Sequence, residues 1–317
     1  MPARPYTDDQ LILAARLYFL DGLSQAQVGK LVHVSQSKVS RMLALARERG
    51  IVRVTVPEYE PRALALESAL KRILQVDAVV VRSVPGLRIK EVRQTVGYFA
   101  APVVSGWLQS ASVVALAGGR TMRALAEHMK PSAVLRPVTF AQAMGNIDSS
   151  PGPYDAVELS RLLAKSWEGH LMTLNTPAFL PEPETCRRLL GLDQVRQVMG
   201  QLAKANLALV GIGTLENSIF AEHQTLTPRD TAALRAAGAV GEILGRFFDA
   251  SGKECPTPLQ RRVVSLGLNE LRLIPKRVGV LAGSDRTGAV LAAVRSGLLD
   301  SLVIDEQGAA ALLERLK

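Results

Sequence analysis

The stretch LVHVSQSKVSRML, Leu31 to Leu43, decides how the chain begins. Its Val and Leu residues recur at helical spacing around small polar and basic side chains, so one helix face can pack while the other stays polar. Ser35 can cap a helix running to about Arg49, and Gly50 ends it. Just upstream, Ser24 and Gln27 in SQAQ form a capping box that opens a short helix through Leu31. TDDQ repeats the signal with Thr7 and Gln10. Leu11, Ala14, Ala15, Leu17 and Tyr18 then follow at helical spacing until Asp21-Gly22-Leu23 breaks the run.

Two helices joined by a tight turn, the second carrying Ser, Gln, Lys and Arg, predict a helix-turn-helix. Gly29 must be small where the two helices cross. Val28, Val32, Val34, Val39, Met42 and Leu43 fall where a small core belongs. Ser35, Gln36, Ser37, Lys38, Ser40 and Arg41 then form the leading face, able to bond base edges or hold phosphates. The local charge agrees: Lys30, Lys38, Arg41, Arg47, Arg49 and Arg53 stand against Glu48 alone. An ordinary solvated helix face is the competing reading; spacing, caps and charge together favour DNA. His33 sits where the turn usually wants a left-handed Gly. Turn geometry explains it more simply than a phosphate contact does.

Beyond Gly50, the alternation of IVRVTV predicts a short strand over residues 51–56. PEYEPR, with two prolines, reads as a hinge. The expected organisation is an all-α DNA-binding domain over residues 1–56, a hinge at 57–62, and an α/β effector-binding and oligomerisation domain over 63–317. In that last part, strand-like runs (AVVV, SVVALA, LALVGIG, RVGVLAG, SLVI) alternate with helical segments. Several end directly in glycine loops, as the strands of an open parallel sheet do where they meet ligands. The expected class is therefore α/β with a Rossmann-like sheet.

Composition sets limits. At 317 residues and 48% hydrophobic, the chain can build more than one core. No apolar run reaches the roughly 18 residues of a membrane span, and MPARPYTDDQ has no signal-peptide apolar stretch. Cys186 and Cys255 lack CxxC spacing, which suits reduced thiols and a cytoplasmic location. A net charge of +9 and a pI near 9.8 suit a polyanionic partner. The four histidines (His33, His128, His170, His223) make no HxxxH pair, GxSxG is absent, and neither a metal nor a cofactor is expected.

The segment LYFLDGLSQAQVGKLVHVSQSKVSRMLALARERGIVRVTV resembles the DNA-binding part of the SorC family of bacterial sugar-responsive transcriptional regulators. Later segments resemble the same family in order: LAGGRTM, MGN, YDAVELSRLLA, LALVGIGT, VGEILGRFFDASG and VLAGSDRTGAVLAAV. The resemblance implies an effector domain similar to the sugar-phosphate isomerase, deaminase and CoA-transferase fold. It also implies a phosphorylated sugar or polyol as effector, double-stranded operator DNA as partner, and a homotetramer built as a dimer of dimers. The chain departs from the family at His33 and at Arg286, where members often carry Lys. Arg keeps the charge but cannot form a Schiff base.

Read physically, Gly118-Gly119-Arg120-Thr121 follows a strand and opens a helix. Glycines admit an anion to backbone N–H groups, while Arg120 and Thr121 add donors; a bare tight turn is the alternative. Gly211, Gly213 and Thr214 repeat the arrangement without the third Gly of a dinucleotide fingerprint. Gly283 to Gly288 has P-loop spacing, but Ala289 and Val290 stand in place of its Lys and Ser/Thr, which excludes an NTPase. Gly283 and Arg286 remain as a phosphate clamp. Gly145, Asn146 and Asp249 are candidates for sugar hydroxyls, although Asp249 suits a turn with Ser251 and Gly252 equally well. Two other classes compete with a regulator: an isomerase or deaminase using Glu216 or Asp249 as base, and a nucleic-acid-binding scaffold with an empty α/β domain. Three glycine loops after strands argue against the last.

Overall fold

The computed structural model describes residues 6–110, 112–131, 137–223 and 225–316. The chain divides into two compact units, one ending at Tyr59 and the other starting at Glu60.

The first unit holds α1 (Asp8–Phe19), α2 (Gln25–Leu31) and α3 (Gln36–Glu48). Thr7 and Ser24 cap α1 and α2 through reciprocal boxes with Gln10 and Gln27, and Ser35 caps α3 at Lys38 N. Leu11, Ala14, Val28, Val39, Met42, Leu43 and Ala46 form the core, with Val32 and Val34 packed partly against it. A Cβ on Gly29 would stand 2.6 Å from the Val34 carbonyl oxygen, so α2 and the turn meet through backbone alone. His33 occupies that turn in the left-handed region at φ 55°. The strand expected at residues 51–56 is absent. Ile51 and Val52 bend against the helical core, and residues 53–61 have no regular structure. Alternation alone cannot make a strand, and the described residues of this unit offer no second strand to bond with.

The second unit runs through α4 (Leu64–Leu74), β1 (Asp77–Val81), α5 (Ile89–Ser105), β2 (Val113–Leu116), α6 (Arg120–His128), β3 (Thr139–Gln142), α7 (Ala156–Ser166) and β4 (His170–Met172). It continues with α8 (Pro183–Leu190), α9 (Asp193–Leu202), β5 (Leu207–Val210), α10 (Ile219–Glu222), α11 (Pro228–Ala236), β6 (Gly241–Ile243) and β7 (Arg246–Phe248). After a 3-10 turn at Pro258–Arg262 come α12 (Leu268–Leu273), β8 (Lys276–Val280), α13 (Thr287–Arg295), β9 (Ser301–Asp305) and α14 (Glu306–Glu314). Seven strands form one parallel sheet in the order β1-β9-β8-β5-β2-β3-β4, and β6 and β7 form a separate antiparallel hairpin.

Both faces of the sheet are covered, as a parallel sheet requires. Along β2, Val114 and Leu116 enter one core with Val96 and Ala100 of α5, Leu125 of α6 and Leu163 of α7. Ala115, between them, enters the other with Leu70 of α4, Leu202 of α9, Ala293 of α13 and Leu312 of α14. Successive side chains of a strand point to opposite faces, which fixes this division. From β2 the chain winds outward through β3 and β4, then returns to place β5 on the other side of β2. The winding reverses between β2 and β5, and their C-terminal ends open a crevice there.

Candidate functional site

In the first unit, Ser35, Gln36, Ser37, Lys38, Ser40 and Arg41 are all exposed. Ser35 and Ser37 share a hydroxyl bond of 2.9 Å. The core side of the same helix is held by Val39, Met42, Leu43 and Ala46, so the leading face can meet a partner without disturbing packing. Not every basic residue nearby does so. Arg49 pairs with Asp8 at 2.6 Å and bonds the Tyr6 carbonyl, tying the end of α3 to the start of α1. Arg47 lies over the Phe19 ring.

In the second unit, an open cavity of about 100 Å³ lies at the β2–β5 crevice. Its floor is the two glycine loops. Gly119 has φ 139°, and a Cβ on Gly118 would stand 2.6 Å from the Tyr154 carbonyl oxygen, so only glycine lets the first loop meet the segment before α7. No side chain caps α6, whose first turn begins at Arg120 and Thr121 on the cavity wall. An uncapped helix N-terminus carries partial positive charge and spare N–H donors. Opposite, Arg286 reaches back from the start of α13, where its Nη1 donates to the Ile212 carbonyl at 3.1 Å. Its side chain is 12% exposed, and its Nε makes no hydrogen bond among the described residues. Burial, chiefly, and then the neighbouring Arg120 lower the guanidinium's pKa, against the pull of Asp285. An anion between these groups would relieve that cost.

The cavity gathers Gly118, Gly119, Arg120, Thr121, Gly211, Gly213 and Arg286 from the sequence-based set. It leaves out five. Gly145 backs onto Pro177, and Asn146 Oδ1 accepts from Gln142 Nε2 at 2.8 Å, so both stabilise the end of β3. Thr214 Oγ1 accepts the Asn217 N–H at 3.0 Å within its own turn. The Gly283 N–H is taken by Asp305 Oδ1 at 2.6 Å. Asp249 is the turn residue that the competing reading described: its Oδ1 accepts from Ser251 Oγ at 2.6 Å and from two backbone N–H groups, which lowers its pKa. Each of the five is engaged by the protein itself: Thr214 and Asp249 inside their own turns, Asn146 by Gln142, Gly145 against the Pro177 backbone and Gly283 by Asp305.

Several lining residues had no signal at the ends of predicted strands. Arg93 comes from α5, Tyr154 and Asp155 from the segment before α7, and Asn217 and His223 from around α10. His223 Nδ1 lies 2.6 Å from Asp148. Burial, as the largest influence, raises the Asp155 carboxyl. Most telling is Glu242 on β6. Its backbone exchanges two 2.9 Å hydrogen bonds with Gly213, and its Oε1 accepts the Gly245 N–H at 2.5 Å. Burial pushes this carboxyl up to about 7, against the Gly245 bond and the charge of Arg286. One clue was present: a lone acid inside the otherwise apolar run GAVGEILG.

Among the described residues there is no cluster fit to hold a metal ion, and no helix is long and apolar enough to cross a membrane. A family model described as "Putative sugar-binding domain" matches residues 61–314. The deoxyribonucleoside regulator of Bacillus subtilis is 28% identical over 312 residues, covering 96% of this chain and 97% of its own. The transcriptional regulator LsrR of Escherichia coli is 28% identical over 314 residues, covering 96% and 95%. The full-length sorbitol operon regulator SorC from Klebsiella pneumoniae superposes with a TM-score of 0.72 at 23% identity, over 97% of this chain and 100% of that one; at that identity the likeness is one of fold. With the sugar-binding domain and such relatives spanning nearly its whole length, the chain belongs to the SorC family of bacterial sugar-responsive transcriptional regulators.

Proposed function

We propose that the protein regulates a sugar or polyol catabolic operon in the cytoplasm by binding double-stranded operator DNA under the control of a phosphorylated sugar or polyol. One observation carries the effector's chemistry: the cavity at the β2–β5 crevice combines an uncapped helix N-terminus with Arg120 and the buried Arg286. A phosphate there would receive backbone N–H bonds, the Thr121 hydroxyl and a charge-assisted clamp. The exposed face from Ser35 to Arg41 supports operator reading in the major groove. One such module buries little DNA, so specific binding needs at least a dimer with half-sites about 34 Å apart, and the second unit would supply the association. A homotetramer, as a dimer of dimers, satisfies that need.

Titration calorimetry with glucose 6-phosphate, fructose 6-phosphate and ribose 5-phosphate, each beside its unphosphorylated sugar, is the test. A phosphorylated member should bind at least tenfold tighter than its parent sugar. Equal affinity of the two would rule out a phosphate clamp.

The enzyme reading loses its original bases: Glu216 is an exposed partner of Arg235, and Asp249 sits in its turn. Glu242 restores it a candidate, since a carboxyl near 7 in a cavity suits proton abstraction. Incubating the protein with the same phosphosugars in deuterated water, followed by NMR, separates the readings. We expect no deuterium at carbon; its incorporation would make the protein an isomerase.

A further inference from the structure

Glu242 stands on the wall of the effector cavity, 6% exposed. Its Oε2 comes so close to the Gly213 backbone that a Cβ there would lie 2.6 Å away. The charged and titratable groups around the same cavity are Arg93 of α5, Arg120 of α6, Tyr154 and Asp155 at the start of α7, His223 paired with Asp148, and Arg286 paired with Asp285. Of these, Arg286 is the one whose charge favours an ionised Glu242, while burial favours the neutral acid more strongly.

An arriving phosphate changes that balance twice, in one direction. By engaging Arg286 it neutralises the positive charge that supported the carboxylate. By bringing its own negative charge into the same cavity it repels the carboxylate directly. A neutral Glu242 gains something further, because it can donate a hydrogen bond to a hydroxyl oxygen and the ionised form cannot.

We infer that effector occupancy and protonation of Glu242 are coupled, so that the regulator takes up a proton with its phosphosugar and responds to sugar phosphate and acidity together. The inference rests on the phosphosugar reading above. Its sign is fixed: binding tightens as pH falls from 8 toward 7, because less work is needed to protonate the empty site.

The test uses the full-length protein and the tightest-binding member of the same phosphosugar panel. Calorimetry at pH 7.5 in buffers of different ionisation enthalpy should show uptake of roughly 0.5–0.8 proton per site. Affinity should fall roughly three- to fivefold from pH 7 to pH 8. Glu242→Gln, shown folded by its melting curve, should lose both dependences. Wild-type heats independent of buffer would overturn the coupling, even if the variant does not fold. Undiminished proton uptake in Glu242→Gln would overturn it too, since the proton would then belong to another group such as His223. If no phosphosugar binds either protein, the effector reading fails and takes this one with it.

Discussion

The two candidate sites use charge in opposite ways. On α3 the polar and basic side chains stand in solvent, with the core behind them built from other residues of the same helix. Around the β2–β5 cavity, Glu242 is buried and Arg286 largely so, each held by a backbone group and each shifted from its ordinary pKa. A solvated recognition face is ready for a large polyanion and costs the fold almost nothing. Ionisable groups withdrawn from water are held at some cost until a ligand completes them. DNA reading should therefore be separable from stability, and effector reading should not be wholly so.

The harshest break of that contrast is at Gly29. Replacing it with Val drives a side chain into the Val34 carbonyl, which is backbone and cannot swing aside. Overpacking of this kind costs about 3 kcal/mol, a large fraction of a three-helix unit's stability. Gly29→Val should abolish operator binding in a gel shift and lower helical content, while phosphosugar binding measured by calorimetry stays as in wild type. Loss of both would show that the units do not fold independently.

Arg286→Ala comes next. Losing a charge-assisted clamp should weaken phosphosugar binding by about 1.5–3 kcal/mol, ten-fold or more. Operator affinity without effector should stay unchanged. If the variant binds phosphosugar as tightly as wild type, Arg286 is not the clamp.

The mildest change is Arg41→Ala or Gln36→Ala. Each should weaken operator binding by about 1–3 kcal/mol at fixed salt. Their melting temperatures should match wild type, because these side chains are exposed and leave the core alone. A drop in melting temperature equal to the loss in binding would erase the proposed difference between the sites.

The same contrast explains what could be read without a structure. The helix-turn-helix is spelled by neighbours: Thr7 with Gln10, Ser24 with Gln27 and Ser35 with Lys38 each act within one turn. The glycine loops after β2 and β5 were legible for a similar reason, since a strand that runs straight into glycine announces its own end. That they face one cavity depends on sheet order, which no single segment encodes. Glu242 meets Gly213 only after the chain has passed through α10 and α11, Arg286 joins them only after β8, and Arg93 comes from α5 more than a hundred residues before them. Local spelling also misled. Val54 and Val56 alternate like a strand yet lie 64% and 77% exposed, and Asp249 in FFDASG looked as fit for a sugar as for the turn it makes.

The place of β9 has a consequence for the order of events at the ribosome. Residues 301–305 lie between β1 and β8, so the first strand of the sheet waits for a segment more than two hundred residues further along the chain. Until then β1 has no neighbouring strand, and α4 lacks the α14 surface on which it packs. The three capped helices at the other end of the chain need nothing that follows them, and domains fold in the order they emerge. A nascent chain thus passes through a period in which its three-helix unit is complete and its parallel sheet is not. The arrival of β9, more than two hundred residues after β1, closes that period.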